Sequence, residues 1–428
     1  MLSDGRIRLT LYTEHSDFPR PDFLSPESDM RIGATLFCLV SALGAADLSF
    51  ERKEIDTSLS VGYAVLLVDV DGDGKKDIVV VDTARVVWYQ NPTWKRRTIL
   101  SGKVPPDNVC ISAADIDGDG RLDFALGAGW KPFDTKGGGT LHWLRQPKDL
   151  DREWDLFPIG AEPTMHRIRF CDLDGTGKPV LVAGPLMGRD STREKNWLDG
   201  RPLRLLAYRI PADPTRDKWP MEVIDESLHV MHNFDPIPGK KGMDLLTASY
   251  LGIHRHYREG SDWKKEKLHE ANQSTPKGSR GASEIKRGKL KDGTPVIATI
   301  EPWHGDQVVV YTPDKAGKWI RRVLDEDLKW GHAVWFADLN GDGGDELIIG
   351  VRDDKAKAPG QRRGVRIYRF DGSDWHRQFI DEGGVAVEDL AAADLDGDGK
   401  IDLVAVGRAT KNVRIYRNLG AKGADSTR

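Results

Sequence analysis

The same acidic loop appears four times along this chain: DVDGDGKKD from Asp69, DIDGDGRLD from Asp115, DLNGDGGDE from Asp338 and DLDGDGKID from Asp394. In each copy a short apolar run leads into the loop and a second one, rich in β-branched residues, leaves it, so the unit reads as strand, tight turn, strand. One such hairpin cannot bury its own apolar face, and a chain that repeats it must stack the copies or close them into a ring.

The loops carry a metal-binding pattern. Side-chain oxygens fall at positions 1, 3, 5 and 9: Asp69, Asp71, Asp73 and Asp77; Asp115, Asp117, Asp119 and Asp123; Asp338, Asn340, Asp342 and Glu346; Asp394, Asp396, Asp398 and Asp402. With a backbone carbonyl at position 7 they can supply the 6 to 8 oxygens that Ca²⁺ takes at about 2.3–2.6 Å, which gives up to four structural calcium sites. DLDGTGKPV from Asp172 has Thr176 and Val180 at positions 5 and 9 and is expected to hold no metal. Two further units, from Asp235 and Lys289, keep the strand rhythm without the ligands. Loop starts at 69, 115, 172, 235, 289, 338 and 394 make seven units spaced by 46 to 63 residues. That period and count predict a seven-bladed β-propeller.

The outer half of each unit agrees. An alternating third strand ends near an aromatic residue, as in Val86-Val87-Trp88-Tyr89 or Val365-Arg366-Ile367-Tyr368. A Trp then opens a fourth strand at Trp94, Trp154, Trp219, Trp263, Trp319 and Trp375. The seventh unit lacks this strand, and Leu48–Asp56 resembles Trp375–Asp381, so the N-terminal strand is expected to complete the last blade. Closure would remove free sheet edges. The expected architecture is all-β, seven four-stranded blades over 47–418.

Outside that span, 1–29 is proline-rich and aperiodic, and reads as disordered or as upstream of a true start at Met30. Residues 30–46 read as a signal peptide: Arg31, the apolar run Ile32–Leu43, then Gly44-Ala45-Ala46. The run is too short for a membrane span, so a secreted or periplasmic protein is expected. The tail 419–428 reads as disordered. A net charge of −4 with 30% charged residues argues against a nucleic-acid partner. Cys110 and Cys171 fall at different heights of equivalent strands, and no disulfide between them is expected.

The acidic loops lie on one face of the disc, so the starts of the first strands line a funnel on the other. Six residues before the loop starts stand Tyr63, Val109, His166, His229, Ser283, His332 and Glu388. Three of eleven histidines thus share one register on three blades, where His166, His229 and His332 can converge on an axial metal; Zn²⁺ suits three imidazoles, with Mn²⁺, Mg²⁺ or Fe²⁺ as alternatives. Each histidine can equally satisfy a local carbonyl in the funnel wall. The ends of the second strands add Arg352, Arg408, Trp303, Arg189, Tyr250 and Trp130, a set that with Tyr63 suits a hydroxylated or anionic ligand such as a sugar. His304, Glu388 and His232 are the acid–base candidates, in that order. His232 faces the funnel only if the strand is irregular before Asn233. Glu388 could also be a fourth ligand or orient an imidazole.

The DxDGDGxxD loops resemble the FG-GAP or VCBS repeats of integrin-α-like seven-bladed propellers. Glu301-Pro302-Trp303-His304-Gly305, with Val308–Tyr311 and Gly331-His332 before a loop, is similar to the propeller portion of aldos-2-ulose dehydratase-like proteins. The second resemblance implies metal-dependent dehydration or isomerisation of keto-sugars, in a fungal family whose members carry cupin-type domains after the propeller. The expected function is a carbon–oxygen lyase acting on a keto-sugar or related carbohydrate. The alternative is a calcium-stiffened propeller that binds a glycan or protein without chemistry.

Overall fold

Seven four-stranded antiparallel sheets make up the fold seen in the computed structural model, which describes residues 47–275, 277–352 and 362–422. The readings for 1–46 and for the extreme C-terminus lie outside the described residues. The innermost strands of blades 1 to 7 are Ala64–Val68, Cys110–Ala114, Met165–Cys171, Met231–Pro238, Ile285–Lys289, Gly331–Ala337 and Val387–Ala393. Each pairs with the next strand in sequence, which pairs with a third, and so outward.

Blade 7 is closed as expected: Leu48–Asp56 pairs with the third strand Val413–Ala421, which runs past the boundary at 418 to pair Ala421 with Leu48. Gln378 of blade 6 fastens the strand's start, accepting the Leu48 N–H at 2.9 Å and donating to its carbonyl at 2.6 Å. Without that strand blade 7 would expose an unpaired edge.

Burial explains the sequence pattern. The second strand of each blade is sandwiched between neighbouring blades, so DIVVVD, VLVAGP and ELIIGV are buried at every position and show apolar runs rather than alternation. The innermost strands crowd the axis and use small residues, as in CISAA and VEDLAAA. Trp88, Trp143, Trp154 and Trp219 fill the wedge between the diverging outer strands and are essentially fully buried.

The recurrent third-strand tyrosine latches adjacent blades. Tyr89, Tyr368 and Tyr416 donate their hydroxyls to Asp56, Asp325 and Asp381, the acids that end the preceding blade's fourth strand, at 2.7, 2.5 and 2.8 Å. Burial and the facing carboxylate hold these phenols protonated, Tyr89 with its pKa pushed well above 10. Cys110 and Cys171 are both free thiols. Among the described residues no helix is long and apolar enough to cross a membrane.

Candidate functional site: an axial histidine funnel

A cavity of about 670 Å³ opens on the face opposite the acidic loops, lined among others by Trp130, His166, His232, Trp303, His304 and His332. Four of its polar residues face inward through one backbone device. In blade 3, Met165 pairs with Pro185 and Arg167 with Gly184, leaving His166 as an extra residue. The same skip isolates His232 between Met231 and Asn233, His332 between Gly331 and Ala333, and Glu388 between Val387 and Asp389. Such a bulge turns a side chain away from the alternation of the strand, and here it directs all four to the axis.

This corrects the expected ligand set. The structure brings together His232, His304 and His332, whose ring nitrogens lie within 4.8 Å of one another, and not His166, His229 and His332. The misreading has a simple origin. Asp235 does not start a loop; it is buried within the innermost strand of blade 4, where it pairs with Lys286 at 2.7 Å, and the strand runs on to Pro238. The strand bulge shared with blades 3, 6 and 7 falls on His232, which takes the place expected for His229. His229 is half-buried and is not among the residues lining the cavity.

His232 meets His304 edge-on with ring centroids 4.2 Å apart, and His304 stacks on His332 at 4.8 Å. The Nδ1 atoms of two rings are engaged from behind. His332 Nδ1 lies 2.5 Å from the Glu388 backbone carbonyl. His232 Nδ1 lies 2.8 Å from Glu284 Oε1, although off the line of a well-aligned hydrogen bond. With Nδ1 so engaged, Nε2 is the nitrogen each of these two rings has left for a ligand. His304 Nδ1 is enclosed and has no protein partner. Burial first, then the guanidiniums of Arg167 and Arg352 and, for His304 and His332, the neighbouring histidines as well, hold His232, His304 and His332 well below the usual imidazole pKa. Neutral imidazoles are what a metal ion requires. His166 stands beside the group, 4.5 Å from His232 between ring centroids, with Nδ1 held by the His232 carbonyl at 3.1 Å and Nε2 3.4 Å from Arg167.

Glu388 lines the cavity and pairs with Arg352 at 2.9 Å and Arg408 at 2.8 Å; its Oε1 is 3.9 Å from His332 Nε2. Both arginines line the cavity, Arg352 over the Trp330 ring and Arg408 over that of Tyr63. Three expected contributors sit outside the lining. Arg189 is drawn away to Glu162, which it shares with Arg204. Tyr250 is buried behind Trp303, edge to face at 4.8 Å. Tyr63 is buried behind Trp130, its hydroxyl bonded to Asp107 and its pKa pushed up to about 12 by burial. Glu284, Arg167, Trp330 and Phe133 were not anticipated. Glu284 was legible once the blade-5 strand, Ile285–Lys289, is bounded correctly, because it falls at the register of the histidines.

On the opposite face, positions 1, 3 and 9 of three loops converge: Asp69, Asp71 and Asp77; Asp115, Asp117 and Asp123; Asp394, Asp396 and Asp402. The first aspartate organises each turn, as when Asp69 accepts N–H groups from Gly72, Asp73 and Gly74. Gly72 and Gly74 adopt φ of 77° and 86°, a region that a side chain would strain. Position 5 is turned aside, Asp73, Asp119 and Asp398 pairing with Lys75, Arg121 and Lys400. In the blade-6 loop Asp338 accepts from Gly341, Asp342 and Gly343, Asp342 is near Lys291 at 3.3 Å, and Asn340 donates to Glu346 at 2.7 Å. In the degenerate loop Asp174 pairs with Arg209 instead.

Fold and site together define a seven-bladed propeller with FG-GAP-type loops and a histidine-lined funnel at its hub. Comparison with known proteins agrees: an FG-GAP-like repeat model matches residues 69–126, and a model of the aldos-2-ulose dehydratase beta-propeller domain matches 138–314. The chain is similar to aldos-2-ulose dehydratase of Phanerodontia chrysosporium, 26% identical over 260 residues that cover 54% of this chain and 28% of that protein. It therefore spans under a third of that relative, and is a propeller related to a sugar dehydratase. A solved extracellular domain from B. thetaiotaomicron aligns with a TM-score of 0.48 and 12% identity, over 86% of this chain and 39% of that one.

Proposed function

We propose that the funnel binds a keto-sugar or related carbohydrate and eliminates a β-substituent from it, as a carbon–oxygen lyase. The observation that carries this reading is the convergence of three neutral imidazoles from three blades, two of them buried and His304 half-buried, on one point of a cavity walled by tryptophans and arginines. The donor set fits a divalent transition metal, Zn²⁺ above all: three nitrogens on one side, cavity on the other. When bound, such an ion supplies Lewis acidity toward a carbonyl oxygen.

The chain's own groups account for the remainder. Trp130, Trp303 and Trp330 offer apolar ring faces to a sugar and exclude water. Arg352 and Arg408, held in place by Glu388, present guanidinium N–H groups to hydroxyls or to a developing oxyanion. His166 becomes the favoured base, because its Nδ1 is committed to the His232 carbonyl, and its Nε2, held only at 3.4 Å by the Arg167 guanidinium, is the nitrogen that would accept the α-proton. Glu388, anchored by two arginines, serves to position them. The expected acid–base roles of His304 and His232 give way to metal ligation.

We further propose that the complete acidic loops hold structural Ca²⁺ and that the protein is exported, where ambient calcium would fill weak sites; the apolar run Ile32–Leu43 supports export. The exposed aromatic mouth also supports a second reading, glycan binding without chemistry. Metal analysis followed by a screen of keto-sugars and uronate oligosaccharides for new ultraviolet absorbance separates the two. Elimination should create a conjugated chromophore in the native protein and not in His332→Ala; sugar binding with no chromophore on any substrate would leave only the binding module.

A further inference from the structure

The aromatic lining continues beyond the funnel. Among the described residues two aromatic side chains stand out as largely exposed, Phe133 at 69% and Trp330 at 55%, and both line this one cavity. An exposed large apolar group is informative where it is not scattered. Phe133 also meets Trp197 at 5.7 Å between centroids, and the Arg193 guanidinium lies 5.8 Å from the Phe133 ring. No acidic side chain among the described residues is paired with Arg193, whereas Arg352 across the cavity is neutralised by Glu388.

The platform is held rigidly. Asp199 accepts the Thr192 N–H and hydroxyl at 2.7 Å each, Asn196 donates to the Gly278 carbonyl at 2.9 Å, and Thr135 ties the Phe133 segment to the Ser191 carbonyl. Trp197, Trp303 and Trp330 have φ of 57°, 54° and 57°, a left-handed conformation that bulky residues adopt at a cost. Trp94 shares it at a blade turn, but three of the four such tryptophans belong to the funnel or its rim. Fixed rings and a free guanidinium match one ligand chemistry. The C–H face of a pyranose meets the negative ring face, and a carboxylate meets the cation.

We propose that Phe133, Trp197 and Arg193 form a second sugar subsite, which takes the ring following the one in the funnel, and that this ring carries a carboxylate. The ligand is then an acidic oligosaccharide rather than a lone sugar. This rests on reading the funnel as a carbohydrate site.

Titration calorimetry of the whole protein with glucuronic acid, a uronate-containing trisaccharide and a neutral trisaccharide tests it. The acidic trisaccharide should bind at least about tenfold more tightly than the monosaccharide. Phe133→Ala should remove most of that advantage, and Arg193→Gln should abolish the preference for acidic over neutral chains. Both residues are surface-exposed, and unchanged melting would exclude misfolding. Equal affinities for monosaccharide and trisaccharide, or an advantage that survives Phe133→Ala, would overturn the subsite. The lyase reading fails separately. A tight trisaccharide that is never cleaved keeps the subsite and removes the chemistry, while turnover of a single keto-sugar with no gain from length does the reverse.

Discussion

His166, His232, His332 and Glu388 owe their direction to one extra residue apiece in the innermost strands, which strand alternation alone would have misplaced. The register was legible for three of them because an acidic loop follows at a fixed distance. It breaks down in blades 4 and 5, where Asp235 and Lys289 stand at the positions of loop starts by sequence spacing although both belong to strands. His304 was visible as a residue but not as a ligand, since it comes from the turn between the second and third strands of blade 5. At this scale Glu284 makes the sharpest test. Its carboxylate backs His232 and contacts Arg167 and Asn233, so Glu284→Gln should weaken funnel-metal affinity by about 10- to 100-fold while the protein stays folded, as read by competition with a chelating dye. Glu388→Ala should destabilise the protein by about 3 kcal/mol in denaturant melts, because it leaves Arg352 and Arg408 without their shared buried partner.

Strands and loops were readable because burial on both faces leaves continuous apolar runs, and because calcium-type loops need a fixed spacing. The coupling between elements was not readable. Loops in adjoining blades are braced in series: Asn418 donates to the Leu339 carbonyl of the blade-6 loop, Asn91 to Leu395 in blade 7, and Gln146 to Val70 in blade 1. The complete loops thus occupy blades 6, 7, 1 and 2, around the ring closure, whereas His166, His232 and His304 come from blades 3, 4 and 5. Burial raises the pKa of Asp77, Asp123 and Asp402 to about 6 and of Glu346 to about 7 in the metal-free fold. Their unfolded values are near 4, so between roughly pH 4 and 7 the metal-free fold holds protons that the unfolded chain has released, and these groups cost it stability as pH rises. A cation reverses that preference. The Tm gained on adding Ca²⁺ to chelated protein should therefore be small at pH 5 and grow through pH 7; a gain that is flat or falls with pH would argue against calcium in these loops.

The whole molecule was legible at the level of topology: seven repeats, four strands each, and a missing outer strand supplied by Leu48–Asp56. What the repeat could not show is that the hub becomes asymmetric, with metal-type ligands from blades 4, 5 and 6 and the base candidate from blade 3. Removing residues 47–56 should expose the edge of Val413–Ala421 and produce loss of the cooperative melt or aggregation, measured by calorimetry and light scattering. A shortened chain that melts like the parent would show that closure matters little.

The most direct measurement is elemental analysis of protein stripped of calcium with a calcium-selective chelator, then exposed to Zn²⁺ and desalted. One equivalent of zinc should remain in the parent and in His229→Ala, and be lost in His232→Ala, His304→Ala and His332→Ala, all of them folded. Loss in His229→Ala with retention in His304→Ala, or no retained zinc in the parent, would contradict the axial site.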